Sequence, residues 1–341
     1  MIENRPGQYS PKLEISFSSL SVAPTDLSPS ALCAGQVTRK TVENMTQLHA
    51  HLSPVADVST SLHLGDLTTV SSAGRQFAEK GIRISSIDRP DVYPTHLAIK
   101  DVLLHLLEKR VHEAIVTVGR RAHNVSSEEK ADSKIQQGIN IITGQEDFNK
   151  KQRIVLRTHT GLWILDGGVT GERLRKSLRG TGVVLAVEIF SANQTQSEYR
   201  TLVEGLARDN DWDTPIYFDL DLGHIAEAKF KYRDITDGKE PLALFEEIIA
   251  ENGRLIAVTS LNQYTDGDHV THRNFLDPQG QINHQDVARA LGKGVRTGKL
   301  DQHVLTVAEP MPFELPQLLS HEGVIFVDTF KKQFETSAGN A

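Results

Sequence analysis

The sequence predicts an α/β fold, a single (β/α)8 barrel domain formed by residues 13–330. Segments typical of β-strands alternate with segments whose apolar residues recur at helical spacing, which indicates parallel β/α units. Eight core strands can be counted along the chain, and eight is the number that closes such a barrel. A doubly wound open sheet is the alternative. No GxGxxG follows the first strand, however, and the sequence contains no Walker GxxxxGK[ST] motif.

The first half of the chain supplies four of these strands. LEISFSSLSV (13–22) and VADVSTSLHL (55–64) alternate apolar with small polar residues, as strands do. GIRISSID (81–88) is the third strand and EAIVTVG (113–119) the fourth. A helix is predicted between them, from Thr95 to Arg110, where leucines recur at helical spacing.

The second half supplies the other four strands. VVLAVEIF (183–190) is an apolar run of the type found in buried strands. The next strand begins with Ile216, Tyr217 and Phe218, and another follows the helix predicted at 243–253. The last strand precedes a Glu-Pro pair and comes after a helix that spans 284–294. The predicted core strands of this half are 183–190, 216–222, 254–262 and 303–309.

Three segments are predicted to lie outside the regular β/α units. RIVLRTHTGLWILDGG (153–168) contains two β-rich runs broken at Thr160 and Gly161, which is typical of an inserted hairpin. Residues 1–12 and 331–341 are predicted to be flexible tails.

Composition excludes several classes of function. The net charge is −7 and the chain has no basic block, which argues against nucleic acid as a partner. The one cysteine, Cys33, excludes a disulfide within the chain and a CxxC zinc site. We find no apolar stretch of about 18 residues and no apolar core of a signal peptide near the N-terminus. We therefore expect a cytoplasmic protein without a membrane partner.

Acidic residues follow apolar runs at the ends of three late strands. Glu188, Asp221 and Glu309 hold these positions, and His224 comes three residues after Asp221. Functional residues of such barrels cluster at the carboxyl ends of the strands, and a buried carboxylate there must be paired, protonated or bound to a cation. Asp219 lies one pleat deeper than Asp221, so it either supports the site or is paired within the barrel.

These residues lie in motifs that resemble a known family. AVEIF (186–190), DLDLGH (219–224), GQINHQDVARAL (280–291) and AEPM (308–311) are similar, in order and spacing, to motifs of the xylose-isomerase-like TIM-barrel superfamily. The resemblance is strongest over residues 183–310. Within that superfamily it points to the sugar isomerases and 3-epimerases typified by D-tagatose 3-epimerase and hydroxypyruvate isomerase.

The resemblance implies a set of roles. Glu188 and Glu309 would bind one divalent metal and act as acid and base on either side of a sugar carbon. Asp221 would be a further ligand, and His224 would contact substrate oxygens. Carboxylate and imidazole ligands suit Mn²⁺, Mg²⁺, Co²⁺ or Zn²⁺. Abstraction of the proton next to a carbonyl gives an enediolate, which a divalent ion stabilises.

The chain departs from the family pattern on its seventh strand. Ser260 stands where the family has a histidine ligand, with Asn262 beyond it. His269 lies in the following loop and could supply the fourth ligand in place of the missing histidine. Alternatively, His269 is an exposed loop residue without a role in the site. Two further residues are candidates for substrate binding. Arg273 could bind a carboxylate or phosphate, and His123 follows the predicted fourth strand.

The sequence thus predicts a metal-assisted isomerase or epimerase that acts on a small carbohydrate-like substrate. A lyase or dehydratase would begin with the same proton abstraction, so it remains an alternative. A non-catalytic barrel that binds a small ligand is another, and the missing strand-seven histidine supports it. A DNA-repair endonuclease of the same superfamily is disfavoured because no histidine-rich metal cluster or basic groove is visible. The sequence leaves open whether the protein is a monomer or a homo-oligomer.

Overall fold

Eight parallel strands close into a barrel in the computed structural model. Neighbouring strands pair in the order β1, β2, β3, β4, β5, β6, β7 and β10, and β10 pairs with β1. The strands are β1 Lys12–Ser18, β2 Asp57–His63, β3 Ile84–Asp88, β4 Ile154–His159, β5 Val183–Ile189, β6 Ile216–Asp221, β7 Ile256–Leu261 and β10 His303–Ala308. The structure describes residues 10–24, 37–63, 76–77, 79–88, 154–159, 183–189, 203–205, 216–232, 238–265, 270–273, 276–277, 279–310 and 314–339.

Six α-helices and a hairpin accompany the barrel in this part of the chain. The hairpin is antiparallel and joins β8 Gln263–Thr265 to β9 Val270–Arg273. The helices are α1 Arg39–Leu52, α2 Leu222–Tyr232, α3 Pro241–Asn252, α4 His284–Arg296, α5 Leu315–Leu318 and α6 His321–Ala338.

Side chains begin several of these helices. Thr38 and Thr41 form a reciprocal capping box at the start of α1, with Thr38 Oγ1 accepting from Thr41 N at 3.1 Å. Asn283 caps α4 by accepting a hydrogen bond from Gln285 N at 3.1 Å. These caps satisfy backbone N–H groups that the first turn of a helix leaves without a partner.

The core consists of two apolar layers. The larger layer lies between the strands and the helices and includes Phe17, Met45, Phe218 and Phe245, all fully buried. The smaller layer fills the inside of the barrel. Its buried members are Val155, Ala186, Ala257, Val258, Leu305 and Val307.

The fourth strand differs from the prediction. The predicted strand 113–119 lies outside the described residues, and β4 takes the place between β3 and β5. Residues 154–159 are therefore a barrel strand and not the first arm of an inserted hairpin. Its buried charged residue, Arg157, is tolerated inside the barrel because it is paired there. Among the described residues, the hairpin attached to the barrel is β8–β9.

The C-terminal region also differs from the prediction. Residues 331–338 continue α6 instead of forming a flexible tail, because Phe330, Phe334 and Ala338 bury one face of the helix. The helix packs against α4, where Gly292 permits the close approach. A Cβ atom at Gly292 would lie 2.4 Å from the backbone oxygen of Phe334. At the other end of the chain, Lys12 is already part of β1, and residues 1–9 lie outside the described part.

A group of charged residues closes the amino-terminal end of the barrel. We call it the base cluster, and its members are Lys12, Glu14, Asp57, Arg83 and His303. Lys12 pairs with Asp57 at 2.6 Å, and Arg83 reaches Glu14 at 2.9 Å and Asp57 at 3.0 Å. His303 contacts Glu14 at 2.8 Å. Each acid of the base cluster therefore contacts a cation, and Arg83 contacts both acids.

Candidate functional site

Polar side chains gather at the carboxyl end of the barrel, opposite the base cluster. Glu188 is near the end of β5, Asp221 ends β6, and Glu309 follows β10 directly. We call this group the mouth cluster. Its members are Arg157, Glu188, Asp219, Asp221, His224, Ser260, Asn262 and Glu309.

The turn from β6 into α2 brings Asp221 and His224 together. The helix begins at Leu222, immediately after the strand, and Asp221 Oδ1 accepts a hydrogen bond from His224 N at 3.1 Å. Asp221 thereby acts as the amino-terminal cap of α2. Gly223 makes this turn possible, because a Cβ atom there would lie 2.8 Å from Asn262 Cβ and 3.1 Å from Asp221 Oδ1. The DLDLGH motif thus fixes one acid and one imidazole at the mouth.

Glu188, Asp221 and His224 form a cluster with the geometry of a metal site. His224 Nε2 lies 3.4 Å from Glu188 Oε1 and 3.8 Å from Asp221 Oδ2, and one potential ligand atom from each residue lies within 4.8 Å of the others. Two carboxylates and an imidazole suit a divalent ion. Nearby, Asn262 Nδ2 donates to Asp221 Oδ2 at 2.8 Å. Asn262 Oδ1 is buried and accepts no hydrogen bond from any residue that the structure describes. These residues therefore fit a divalent cation.

Arg157 crosses the inside of the barrel from β4. Its Nε donates to Asp219 Oδ2 at 2.5 Å, and its second terminal nitrogen donates to Ser260 Oγ at 2.8 Å. Its first terminal nitrogen donates to Glu309 Oε1. Ser260 Oγ in turn donates to Asp219 Oδ1 at 3.1 Å. One guanidinium therefore joins side chains from β6, β7 and the end of β10.

The charges of the mouth cluster shift two pKa values strongly. Burial raises the pKa of Asp219 to about 8; Arg157 opposes this shift, while Glu188, Glu309 and Asp221 add to it. Burial alone would lower the pKa of His224, but Asp221 and Glu188 raise it to about 10. His224 also contacts Glu227 Oε2 through Nδ1 at 3.3 Å. The imidazole therefore carries a proton that a bound metal would replace, since a ligating imidazole is neutral.

Not every predicted site residue joins this cluster. The structure brings together Glu188, Asp221 and His224, whereas Glu309 lies against Arg157. His269 and His123 lie outside the described residues. The backbone of Arg273 pairs with Gln263 in the β8–β9 hairpin, and its side chain is not described. Of the two interpretations of Asp219, the structure supports pairing within the barrel.

Three residues of the mouth cluster, Arg157, Ser260 and Asn262, were not predicted to act in the site. Arg157 lies in the segment interpreted as a hairpin insertion, and Asn262 was noted only as a weak substitute for a histidine. The signal for Arg157 is a lone arginine in the apolar strand IVLRTH, which needs a buried acid such as one of the pair in DLD. The signal for Asn262 is its position two residues beyond Ser260, on the same side of the strand.

Two solved structures are similar to this chain. One is described as a D-tagatose 3-epimerase-like protein, at 12% identity and a TM-score of 0.49, with 94% of this chain and 99% of that chain covered. The other is an L-ribulose 3-epimerase, at 14% identity and a TM-score of 0.45, with 96% of each chain covered. At these identities and TM-scores the likeness carries no argument about function, and the barrel fold rests on its own strand order.

No family model matches the chain, and no curated protein does. Within the described ranges, every helix is too short or too polar to cross a membrane.

Proposed function

We propose that this protein is an isomerase or epimerase that moves a proton next to the carbonyl group of a sugar or sugar derivative. The observation that carries the proposal is the pair of carboxylates Glu188 and Glu309 at the barrel mouth. They come from β5 and β10, which are separated by β6 and β7, so the two acids approach the mouth from different sides. Inversion of configuration at a carbon needs a proton removed from one face and returned to the other, which two such groups can provide.

Each acid has a distinct role in this proposal. Glu188 removes the proton from the carbon next to the carbonyl, and Glu309 returns or accepts a proton on the other side. Glu309 is held in position by its ion pair with Arg157. The resemblance of DLDLGH to its family motif implies a substrate contact for His224, but a metal on Nε2 and Glu227 on Nδ1 would occupy both ring nitrogens, so we assign His224 to the metal. Arg273 and His123 remain predicted contacts to the substrate.

A divalent metal is part of the proposal, with Glu188, Asp221 and His224 as its ligands. Their spacing and ligand types support this set. When bound, a divalent ion supplies positive charge that stabilises an enediolate. The ligand set expected from the sequence was Glu188, Asp221, Glu309 and His269, and His224 was expected to contact the substrate. Glu309 instead pairs with Arg157, and His269 stays a prediction.

Solvent deuterium tests the proposal directly. The protein would be incubated in D₂O with Mn²⁺ and with single ketohexoses, ketopentoses and their phosphates. We expect deuterium at the carbon next to the carbonyl of at least one sugar, and a loss of about 10²–10⁴-fold in its rate in Glu188→Gln. Glu43→Gln, on α1 and remote from the mouth, is the matched control. Equal incorporation by Glu188→Gln and wild type would contradict the proposal.

The same experiment separates the two alternatives. A dehydratase would also exchange the proton, but its product would have lost the mass of one water. A non-catalytic binding barrel would bind a sugar without incorporating deuterium. The ion pair between Arg157 and Glu309 is the observation that favours this alternative, because it occupies an acid that the proton transfer needs.

The cellular and assembly predictions belong to this proposal too. A cytoplasmic location and a carbohydrate-like substrate are inferred from the sequence. Whether copies of the chain associate is a question for sedimentation analysis of the purified protein.

A further inference from the structure

Arg157 is buried inside the barrel, whereas most arginines lie on the protein surface. Its side chain is 2% exposed and lies inside the barrel, one layer below Glu188. Its nitrogens donate to the side chains of Asp219, Ser260 and Glu309. Three strands or strand ends besides its own therefore hold the guanidinium in place.

The charge at this point is permanent. A guanidinium does not lose its proton in proteins, unlike an imidazole or a lysine amine. Its planar fork also fixes the direction of each hydrogen bond, so its partners are held with it. Arg157 is therefore a permanent cation held between two acids, Asp219 and Glu309, and the hydroxyl of Ser260.

Ser260 already engages its hydroxyl in two hydrogen bonds in this arrangement. Its hydroxyl oxygen accepts from Arg157 at 2.8 Å, and its proton is donated to Asp219 at 3.1 Å. It stands at the strand-seven position where the resemblance leads one to expect an imidazole ligand.

Glu309 is affected in the same way. Its Oε1 accepts from the guanidinium, so a divalent ion on that oxygen would lie next to a permanent positive charge. Like charges at such a distance repel strongly in a buried site. Glu188, Asp221 and His224 form their cluster without Glu309.

We propose that Arg157 takes the place of the strand-seven ligand and removes Glu309 from the metal ligand set, so that the ligands of a divalent ion among the described residues are Glu188, Asp221 and His224. Arg157 is then a positioning residue that acts through Glu309. The use of Glu309 in proton transfer rests on the proposed function, whereas the ligand set does not.

Binding of Mn²⁺ to the full chain tests the ligand set without any substrate. Calorimetric titration or the electron paramagnetic resonance of free Mn²⁺ would give the Kd for wild type, Glu188→Gln and Glu309→Gln. We expect Glu188→Gln to raise the Kd about tenfold or more, and Glu309→Gln to change it by less than about fivefold. Glutamine keeps an oxygen for Arg157, so Glu309→Gln is expected to fold. Glu43→Gln on α1 is the control that leaves both sites untouched.

Two results would overturn the inference. One is a rise in Kd of about fivefold or more in Glu309→Gln, because Glu309 would then be a ligand. The other is a wild-type protein that takes up no Mn²⁺ at millimolar concentration. Neither result depends on the deuterium assay, so failure of the inference and failure of the proposed function remain distinguishable.

A double variant tests the role of Arg157 itself. Arg157→Gln with Ser260→His restores an imidazole on strand seven and releases Glu309. We expect its Kd for Mn²⁺ to fall about tenfold below that of wild type. A folded double variant with unchanged or weaker affinity contradicts the role given to Arg157. If circular dichroism shows that the double variant does not fold, the comparison of Glu309→Gln with Glu188→Gln decides the question.

Discussion

The two ends of the barrel differ in how their acids are paired with cations. In the base cluster, the carboxylates of Glu14 and Asp57 face Lys12 and Arg83, with His303 beside Glu14. Burial alone would raise the pKa of Glu14, but hydrogen bonds from His303 and Ser59 and the charge of Arg83 bring it below its ordinary value. The pKa of Asp57 is lowered in a similar way, by Lys12 and Arg83 against burial.

The mouth cluster has more acids than cations among its described members. Glu188, Asp219, Asp221 and Glu309 share one guanidinium and the imidazole of His224. Both strongly shifted groups have their pKa raised, which means that the site retains protons. A cluster in which each acid has a cationic partner stabilises the fold. Buried acids in excess of cations repel one another, so they favour the binding of a positively charged ligand.

The largest expected difference between the two ends concerns catalysis. Glu188→Gln is expected to slow proton transfer by about 10²–10⁴-fold and to change the free energy of unfolding little, because the lost contact with the His224 imidazole is offset by weaker repulsion of Asp219. Glu14→Gln removes an acid that has cationic partners, so it is expected to lower stability and leave the rate per folded molecule unchanged. Deuterium incorporation and urea unfolding of both variants measure these effects. A similar loss of rate in the two variants would contradict the division of roles.

Removing the arginine of each cluster, Arg157 at the mouth or Arg83 at the base, should change stability by different amounts. Arg157→Met leaves Asp219 and Glu309 buried without their guanidinium, so we expect a loss of about 3–5 kcal/mol in the free energy of unfolding. Arg83→Met is expected to cost about 1–2 kcal/mol, because Arg83 is 24% exposed and Lys12 and His303 remain near the acids.

Urea unfolding compares these two arginine variants. Adding Asp219→Asn to Arg157→Met should recover part of the stability, because it removes one of the acids left without a partner. A double variant that is less stable than Arg157→Met would show that the charge of Asp219 is not the source of the cost.

The two ends are expected to limit stability on opposite sides of neutral pH. At the mouth, His224 and Asp219 have raised pKa values of about 10 and 8, so the folded state holds protons that the unfolded state has lost. The free energy of unfolding should therefore fall as the pH rises above about 6.5 in the presence of EDTA. His224→Gln should flatten this alkaline limb.

On the acidic side the sign is reversed. Burial lowers the pKa of His49 and His284 to about 4, so the unfolded state takes up protons first as the pH falls from about 6.5 to 4. Over this pH range each histidine lowers the free energy of unfolding by about 3 kcal/mol. Asp219 has a raised pKa, so its contribution changes in the opposite direction and offsets that of one histidine. Below that range, Glu14 and Asp57 lose their contribution as they are protonated. A stability that is flat between pH 4.5 and 8, measured with urea, would contradict both limbs.

A smaller effect is expected from the turn that positions Asp221. Gly223→Ala places a Cβ atom 2.8 Å from Asn262 Cβ, so the turn or Asn262 must shift, at a cost of about 1–3 kcal/mol. The affinity for Mn²⁺ should fall with it. Gly205→Ala is the matched control, because nothing lies within 4 Å of a Cβ atom there. Equal stability and equal Mn²⁺ affinity in the two variants would show that the turn is not tight.

The sequence predicted the strands better than it predicted the contacts inside the barrel. Seven of the eight barrel strands were located from apolar runs and alternation, which depend on local sequence. The segment of the fourth was recognised as β-rich but was assigned to an inserted hairpin, because 113–119 was counted as the fourth strand. The acids that make Arg157 tolerable inside the barrel lie on other strands. The apolar run 323–330 carries no period-two signal, and its helical nature follows from packing on α4.

The acids at the strand ends were predictable because the position of a residue in its strand determines which end of the barrel it reaches. The pairing of Glu309 was not. It depends on a side chain that comes 152 residues earlier in the chain, and no local pattern records that distance.

The pairing of β1 with β10 has a consequence for the synthesis of the protein. Lys12 lies opposite His303 in the barrel, so the first strand has no partner on one side until the residues of β10 have left the ribosome. Until then both β1 and β7 present unpaired edges, which are sites for association with other chains. Closure is therefore a late, non-local step, and a nascent chain stalled before residue 303 is expected to depend on chaperones.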